Sequence, residues 1–266
     1  MHVYTSVNFG RSQTTAQTKT TAVMTEFQQA FLLAGIHLGI ALILSAILLL
    51  VSKSEKRYLL LVFAAFFVVT FLVLFIPDLP ILRKLHWNWQ GKFLTFILSM
   101  AFVYFLPFLT EKEAGFTFKV NKSVWIPLLI LLTISAAFNI YVNDFSGVDK
   151  TKEYLFYQLT MPGLSEEPVF RGVMLGLLNL VFISRKKILG EYFGWGALIQ
   201  TVLFGVGHAI YFDDKQHLQF YFTGFAATFV LGAFMTYLKE KGESLIPAIL
   251  FHNLYNALLP LISLFM

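Results

Sequence analysis

Residues 30–52 read AFLLAGIHLGIALILSAILLLVS, and His37 is their one ionisable side chain. A bilayer core about 30 Å thick is crossed by about 20 apolar helical residues, so this stretch predicts a transmembrane helix. The runs of this kind lack the period-two alternation of a membrane barrel. We therefore expect an all-α fold, a polytopic transmembrane helical bundle. The predicted spans number about eight, at residues 30–52, 58–76, 93–110, 124–142, 155–183, 194–211, 218–238 and 245–265.

The composition of the whole chain agrees with a membrane protein. Its 266 residues are 57% hydrophobic and 13% charged, whereas a soluble domain has roughly 45–50% apolar and about 25% charged residues. This balance excludes a soluble enzyme and a disordered chain. The net charge of +5 comes from short basic clusters between apolar runs, so we expect no nucleic-acid partner. The absence of cysteine excludes disulfides, thiolate catalysis and cysteine-rich zinc sites.

The chain divides into three predicted regions. Residues 1–29 form a polar tail rich in Thr and Gln, without the apolar core of a signal peptide. Residues 30–123 contain three spans, and residues 124–266 contain the rest. Trp87, Trp89 and the basic residues around them predict an interfacial segment before the third span. We expect an integral, multi-pass protein, of the cell membrane if the source is prokaryotic.

The loops on one side of the predicted bundle carry more Lys and Arg than the loops on the other. This difference weakly favours both termini outside. The richer side has Lys53, Lys56, Arg57, Lys112, Lys119, Lys122, Arg185, Lys186, Lys187, Lys239 and Lys241, and the other has Arg11, Lys19, Arg83, Lys84, Lys92, Lys150, Lys152 and Lys215.

Few ionisable residues fall inside the predicted spans, and each costs about 2.5–3.5 kcal/mol at a helix centre. Glu166 and Glu167 are adjacent, and Arg171 is the one Lys or Arg that we place within a span. Glu167 and Arg171 are spaced i,i+4 and are expected to pair, whereas Glu166 points about 100° away and stays free. We expect the helix to break at residues 160–163 and to restart with Ser165 as its N-cap. Both glutamates would then lie in a first turn, either as functional groups or as ordinary acids at the water interface.

Polar side chains in two later spans complete the candidate group. His208 follows two glycines at residues 205 and 207, and His252 shares a helix face with Asn256. Alone, each could be an interfacial or packing residue. Together with Glu166 they supply a general base, a second group to position water and two donors for an oxyanion. This combination indicates water attack on an amide.

The three blocks Glu-Glu-x-x-x-Arg (Glu166, Glu167, Arg171), Phe-x-x-x-His (Phe204, His208) and His-x-x-x-Asn (His252, Asn256) resemble the signature of the CPBP intramembrane proteases. This family, also called Abi, includes the type II CAAX prenyl endopeptidases. The resemblance covers roughly residues 124–262 and implies eight core helices around a cavity open to the membrane and the cytosol. It implies Glu166 as the general base assisted by His208, His252 and Asn256 as the oxyanion hole, and Glu167, Arg171 and Phe204 as residues that shape the site.

The resemblance leaves the cofactor and the substrate open. Glu166, His208 and His252 could ligate zinc with an open fourth position, but the His-Glu-x-x-His motif is absent. We favour glutamate-dependent hydrolysis without a metal, with a zinc metalloprotease as the alternative. The expected partner is a membrane-anchored peptide or protein, such as a prenylated CAAX tail or a bacteriocin-like peptide. The competing functions are a non-catalytic binding or immunity protein that retains the pocket, and a transporter with a proton relay.

Overall fold

The computed structural model describes residues 24–54, 56–142 and 147–265, so most of the predicted tail lies outside the described residues. Within them the chain is a bundle of helices, as predicted. The helices are α1 (Glu26–Val51), α2 (Leu59–Val73), α3 (Trp89–Phe105), α4 (Glu111–Ala114), α5 (Trp125–Val142), α6 (Lys152–Glu167), α7 (Leu175–Val181), α8 (Trp195–Gly207), α9 (Phe222–Gly242) and α10 (Ile246–Ser263). A 3-10 turn (Lys122–Val124) precedes α5, and a π-helical segment (Pro168–Met174) joins α6 to α7.

Each of the eight predicted spans overlaps a helix, and the fifth overlaps α6, the π-helical segment and α7. Among the described residues, four helical stretches are long and apolar enough to cross a membrane: Glu26–Val51, Lys122–Val142, Phe222–Gly242 and Ile246–Ser263. Helices α2 and α8 are apolar but shorter. Large apolar side chains such as Leu50, Leu61 and Ile126 are exposed on the outside of the bundle, which is the surface that lipid would cover.

The predicted helix break at residues 160–163 is wrong, because α6 continues through Pro162 to Glu167. The side chain of Asn253, on α10, bonds to two backbone groups on either side of the proline. Its Oδ1 accepts a hydrogen bond from the Gly163 N–H at 2.7 Å, and its Nδ2 donates to the Thr160 carbonyl at 3.1 Å. Pro is tolerated in membrane helices when a neighbour satisfies the freed groups in this way.

Two short antiparallel hairpins interrupt the all-α pattern that the sequence predicts. Strands β1 (Arg185–Ile188) and β2 (Glu191–Gly194) join α7 to α8. Their two-residue turn has positive φ at Leu189 (50°) and Gly190 (93°), as the right-handed twist of a hairpin favours. Strands β3 (Ile210–Phe212) and β4 (Leu218–Phe220) separate α8 from α9. The sixth predicted span therefore ends earlier, and the seventh begins later, than the hydrophobic runs suggested.

An aromatic cluster fixes the start of α3 against the start of α6. The carboxylate of Glu153 accepts hydrogen bonds from Trp89 Nε1 at 3.2 Å and from the His86 backbone at 2.9 Å. The ring of Trp87 stacks on Tyr157 with a centroid distance of 5.4 Å. The segment that we assigned to the interface thus includes the first turn of α3. The next turn of α3 places Lys92 beside Glu166, at the end of α6.

Candidate active site

Glu166 and Glu167 lie in the last turn of α6, immediately before the π-helical segment. The expectation that Ser165 caps a new helix, with both glutamates in its first turn, is therefore wrong. Ser165 is buried inside α6, and its Oγ lies 2.6 Å from Thr95 Oγ1 on α3. The carboxylates are presented by an irregular stretch in mid-helix, and π-helical turns of this kind are frequent at functional sites.

Glu167 is part of a buried charged group that joins three helical elements. Its Oε1 accepts hydrogen bonds from Arg171 Nη1 at 3.2 Å and from His252 Nδ1 at 2.7 Å. The side chains of Glu167 and Arg171 are fully buried. The i,i+4 pair that the sequence predicts is thus formed, and His252 on α10 is added to it.

Arg171 also contacts α8 and α9. Its Nη2 donates to the Gly232 carbonyl at 3.2 Å, and its guanidinium carbon lies 4.1 Å from the centre of the Phe204 ring. A Cβ at Gly232 would lie 3.0 Å from Arg171 Nη2, so the glycine leaves room for this close approach. Phe204, which the resemblance implies as a site-shaping residue, separates the arginine from His208.

Glu166 is not free, contrary to our expectation. Its Oε1 accepts a hydrogen bond from Lys92 Nζ at 2.5 Å, and the side chains of Glu166 and Lys92 are 18% and 14% exposed. We had placed Lys92 in the connection before the third span, but helix α3 begins at Trp89 and contains it. Sequence reasoning missed Lys92 because a lysine next to an apolar run usually extends towards water at the end of a span. The one local signal is Asn88, which caps α3 four residues earlier.

His208 ends α8 and faces the second oxygen of Glu166. Its Nδ1 lies 2.8 Å from the Phe204 carbonyl, and a carbonyl only accepts, so the ring proton is on Nδ1. The Nε2 atom is 3.9 Å from Glu166 Oε2, which is too long for a direct hydrogen bond. When the His208 ring is neutral, its Nε2 atom is therefore an acceptor and faces a second acceptor, Glu166 Oε2.

These residues line a common cavity of about 100 Å³. The structure brings Glu166, Phe204, His208, His252 and Asn256 to its wall, with Glu167 and Arg171 behind them. The side chain of Asn256 has no hydrogen bond within the described residues. The remaining wall is mostly apolar and aromatic, from α5, α6, α9 and α10.

Gln158 also lines this cavity, and the sequence analysis did not select it. It is 1% exposed, and neither atom of its side-chain amide has a hydrogen-bond partner within the described residues. Only its position two turns before Glu166 on α6 could have drawn attention to it.

The residues that we considered as a zinc set do not fit a metal ion in this arrangement. Among the described residues, no three His, Asp or Glu side chains converge in a way that could bind a metal. One oxygen of Glu166 is occupied by the Lys92 ammonium, whose charge opposes a second cation at the same carboxylate. We therefore derive no step through a metal.

One comparison with known proteins gives a match at this site. Residues 153–258 match the family model described as type II CAAX prenyl endopeptidase Rce1-like. They form an Rce1-like region. No curated protein and no solved structure matches the chain. The Rce1-like region contains the three motif blocks, and it leaves α1 to α3, with Lys92, outside. The matched family is a protease family.

Proposed function

We propose that this chain is an eight-span intramembrane endopeptidase that cleaves a peptide bond near the C-terminus of a membrane-anchored substrate. The observation that carries the proposal is the setting of Glu166. Lys92 occupies one carboxylate oxygen, and the other lies 3.9 Å from His208 Nε2 inside the bundle. Four of the eight proposed spans are the helical stretches that are long and apolar enough to cross a membrane. The other four are α2, α3, α8 and the continuous rod of α6 and α7.

The first chemical step is activation of water by Glu166. A water molecule between Glu166 Oε2 and His208 Nε2 donates one hydrogen bond to each, because both atoms are acceptors. When the water oxygen attacks the peptide carbonyl carbon, its proton moves to Glu166. The Lys92 ammonium keeps the carboxylate ionised before attack and fixes its orientation.

His252 and Asn256 then stabilise the oxyanion. Nδ1 of His252 is already bonded to Glu167 at 2.7 Å, so its Nε2 donates to an oxyanion when the ring carries protons on both nitrogens. Glu167 provides the negative charge that balances such a ring. The free amide of Asn256 supplies the second donor.

Collapse of the tetrahedral intermediate completes the reaction. The carbon–nitrogen bond breaks, and the proton that Glu166 received passes to the leaving amine. The products are a substrate with a new carboxyl end and a released C-terminal peptide. No further reactant is needed.

The apolar part of the cavity favours a substrate with a hydrophobic anchor. Phe138 and Val142 of α5, Leu231 of α9 and Tyr255 of α10 lie on its wall, and a prenylated CAAX tail presents an isoprenoid chain next to the peptide to be cut. Small membrane peptides are the other substrates that this wall would accept. The alternative function is a non-catalytic binding or immunity protein. Such a protein would not need a carboxylate like Glu166 placed beside His208.

The test uses purified full-length protein with a fluorogenic farnesylated CAAX peptide and the same peptide without the farnesyl group, with products identified by mass spectrometry. We expect cleavage of the farnesylated peptide within its last residues, unchanged by a zinc chelator. Loss of activity to the chelator, restored by zinc, would overturn the metal-free mechanism. Binding of both peptides without cleavage of either would favour the non-catalytic alternative.

A further inference from the structure

A second cavity lies at the far end of α7, away from the candidate active site. Its volume is about 320 Å³, and it shares no lining residue with the first cavity. Three parts of the chain form it: the α1–α2 connection, the end of α7 and the start of β1. Its lining residues are Lys56, Asn179, Leu180, Ile183 and Arg185.

The polar half of this cavity is suited to an anion. Lys56 and Arg185 are exposed, and neither makes an ion pair within the described residues. Arg185 has one long contact, from Nη2 to the Asn179 carbonyl at 3.5 Å, so most of its N–H groups are available. No acidic side chain of the described residues lines the cavity. A guanidinium and an ammonium on two separate segments are suited to a phosphate group.

The other half of the cavity is apolar. Ile183 is 60% exposed and Leu180 is half-buried, at the end of a helical rod that we place in the membrane. The cavity also lies on the side of the bundle with the larger number of Lys and Arg in its loops. Its two cations have basic neighbours in the sequence, namely Lys53, Arg57, Lys186 and Lys187. By the positive-inside rule this side faces the leaflet that is rich in anionic lipid.

We infer that this cavity binds the headgroup of one anionic phospholipid, with the phosphate between Lys56 and Arg185 and the first acyl carbons along Ile183 and Leu180. A soluble phosphate ester would share the charged contacts but would gain nothing from the apolar half. Basic pockets at the ends of membrane helices bind lipid headgroups in this manner. The inference is independent of the protease chemistry.

Native mass spectrometry of the full-length protein in neutral detergent tests the inference. Phosphatidylglycerol, phosphatidylcholine and glycerol 3-phosphate are titrated separately against wild type, the Lys56→Gln/Arg185→Gln variant and the control variant Lys186→Gln/Lys187→Gln. We expect one tightly bound phosphatidylglycerol in wild type and in the control. The Lys56→Gln/Arg185→Gln variant should bind it about 30-fold more weakly, at about 1 kcal/mol for each cation.

Three results would overturn the inference: equal phosphatidylglycerol affinity in the cavity variant and wild type, an equal loss in the control variant, or glycerol 3-phosphate binding as tightly as the lipid. The last result would assign the cavity to a soluble anion. If the double variant does not fold, the single change Lys56→Gln in the exposed connection is used, with an expected loss of about fivefold.

Discussion

Lys92 Nζ lies 2.5 Å from Glu166 Oε1, although the two residues are 74 positions apart and belong to different helices. This ion pair joins α3, outside the Rce1-like region, to the motif glutamate inside it. The N-terminal helices are therefore more than a membrane anchor for the Rce1-like region. They contribute a charged residue to the site itself.

Lys92→Met should lower kcat about 10- to 100-fold with little change in KM, because the carboxylate loses the cation that keeps it ionised and oriented. Lys92→Arg should restore most of the loss. Steady-state cleavage of the farnesylated peptide measures both parameters. The control is Lys119→Met, a change at an exposed lysine. A wild-type kcat in Lys92→Met would contradict the role assigned to the pair.

Arg171→Met should unfold at a clearly lower temperature than wild type. The change removes the cation from the fully buried Glu167 and leaves that carboxylate with His252 alone, and breaking a buried pair costs about 3–5 kcal/mol. Thermal unfolding in detergent measures the effect. Asn256→Ala serves as the comparison, since Asn256 lines the cavity and has no hydrogen bond within the described residues, and it should change the melting temperature little. Equal stability of Arg171→Met and wild type would show that the buried group is dispensable for folding.

Substitution of two asparagines one turn apart on α10 should affect different properties, stability at Asn253 and activity at Asn256. Asn253 bonds to the α6 backbone on both sides of Pro162, so Asn253→Leu should lower the free energy of unfolding by about 2–3 kcal/mol. Asn256 has no such bonds, and Asn256→Ala should leave stability unchanged while reducing kcat about 10²- to 10³-fold, the usual effect of losing one oxyanion donor. The pair is compared by melting temperature and cleavage rate. If both variants lose only stability, Asn256 has a structural role.

Gln158→Met should make the protein more stable, by about 1–2 kcal/mol. Both amide atoms of Gln158 are buried without a partner in the described structure, and such groups carry an uncompensated desolvation cost that methionine of similar size avoids. Chemical denaturation in mild detergent provides the measurement. As a control, Gln200→Met should destabilise, because Gln200 Nε2 donates to Thr201 at 2.7 Å and Thr236 at 2.6 Å. A less stable Gln158→Met would reveal a bonding partner of this amide.

The sequence predicted the helical bundle and the separate elements of the site because both depend on local signals. Long apolar runs located the helices, and the rarity of charge inside them selected Glu166, Glu167, His208 and His252. The pairing of Glu167 with Arg171 followed from helical periodicity. Each of these features can be predicted from residues that are close together in the sequence.

The parts that the sequence did not reveal depend on contacts between distant segments. The Lys92–Glu166 pair and the support of Pro162 by Asn253 carry no local periodic signal. Pro-Gly at residues 162–163 indicates a break when read alone, whereas in the structure the Asn253 side chain from α10 bonds to the helix backbone on both sides of the proline. The hairpins lie at the edges of hydrophobic runs, where apolar composition does not distinguish a strand from a helix end.

The central claim is that the Glu166 carboxylate activates the attacking water. The most direct measurement is the single-turnover rate of peptide cleavage by Glu166→Gln, which keeps the size of the side chain. The rate is compared with that of wild type at a temperature where both proteins are folded. We predict a fall of at least about 10³-fold, since a neutral amide cannot take up the proton of water. A rate within about tenfold of wild type would contradict the account.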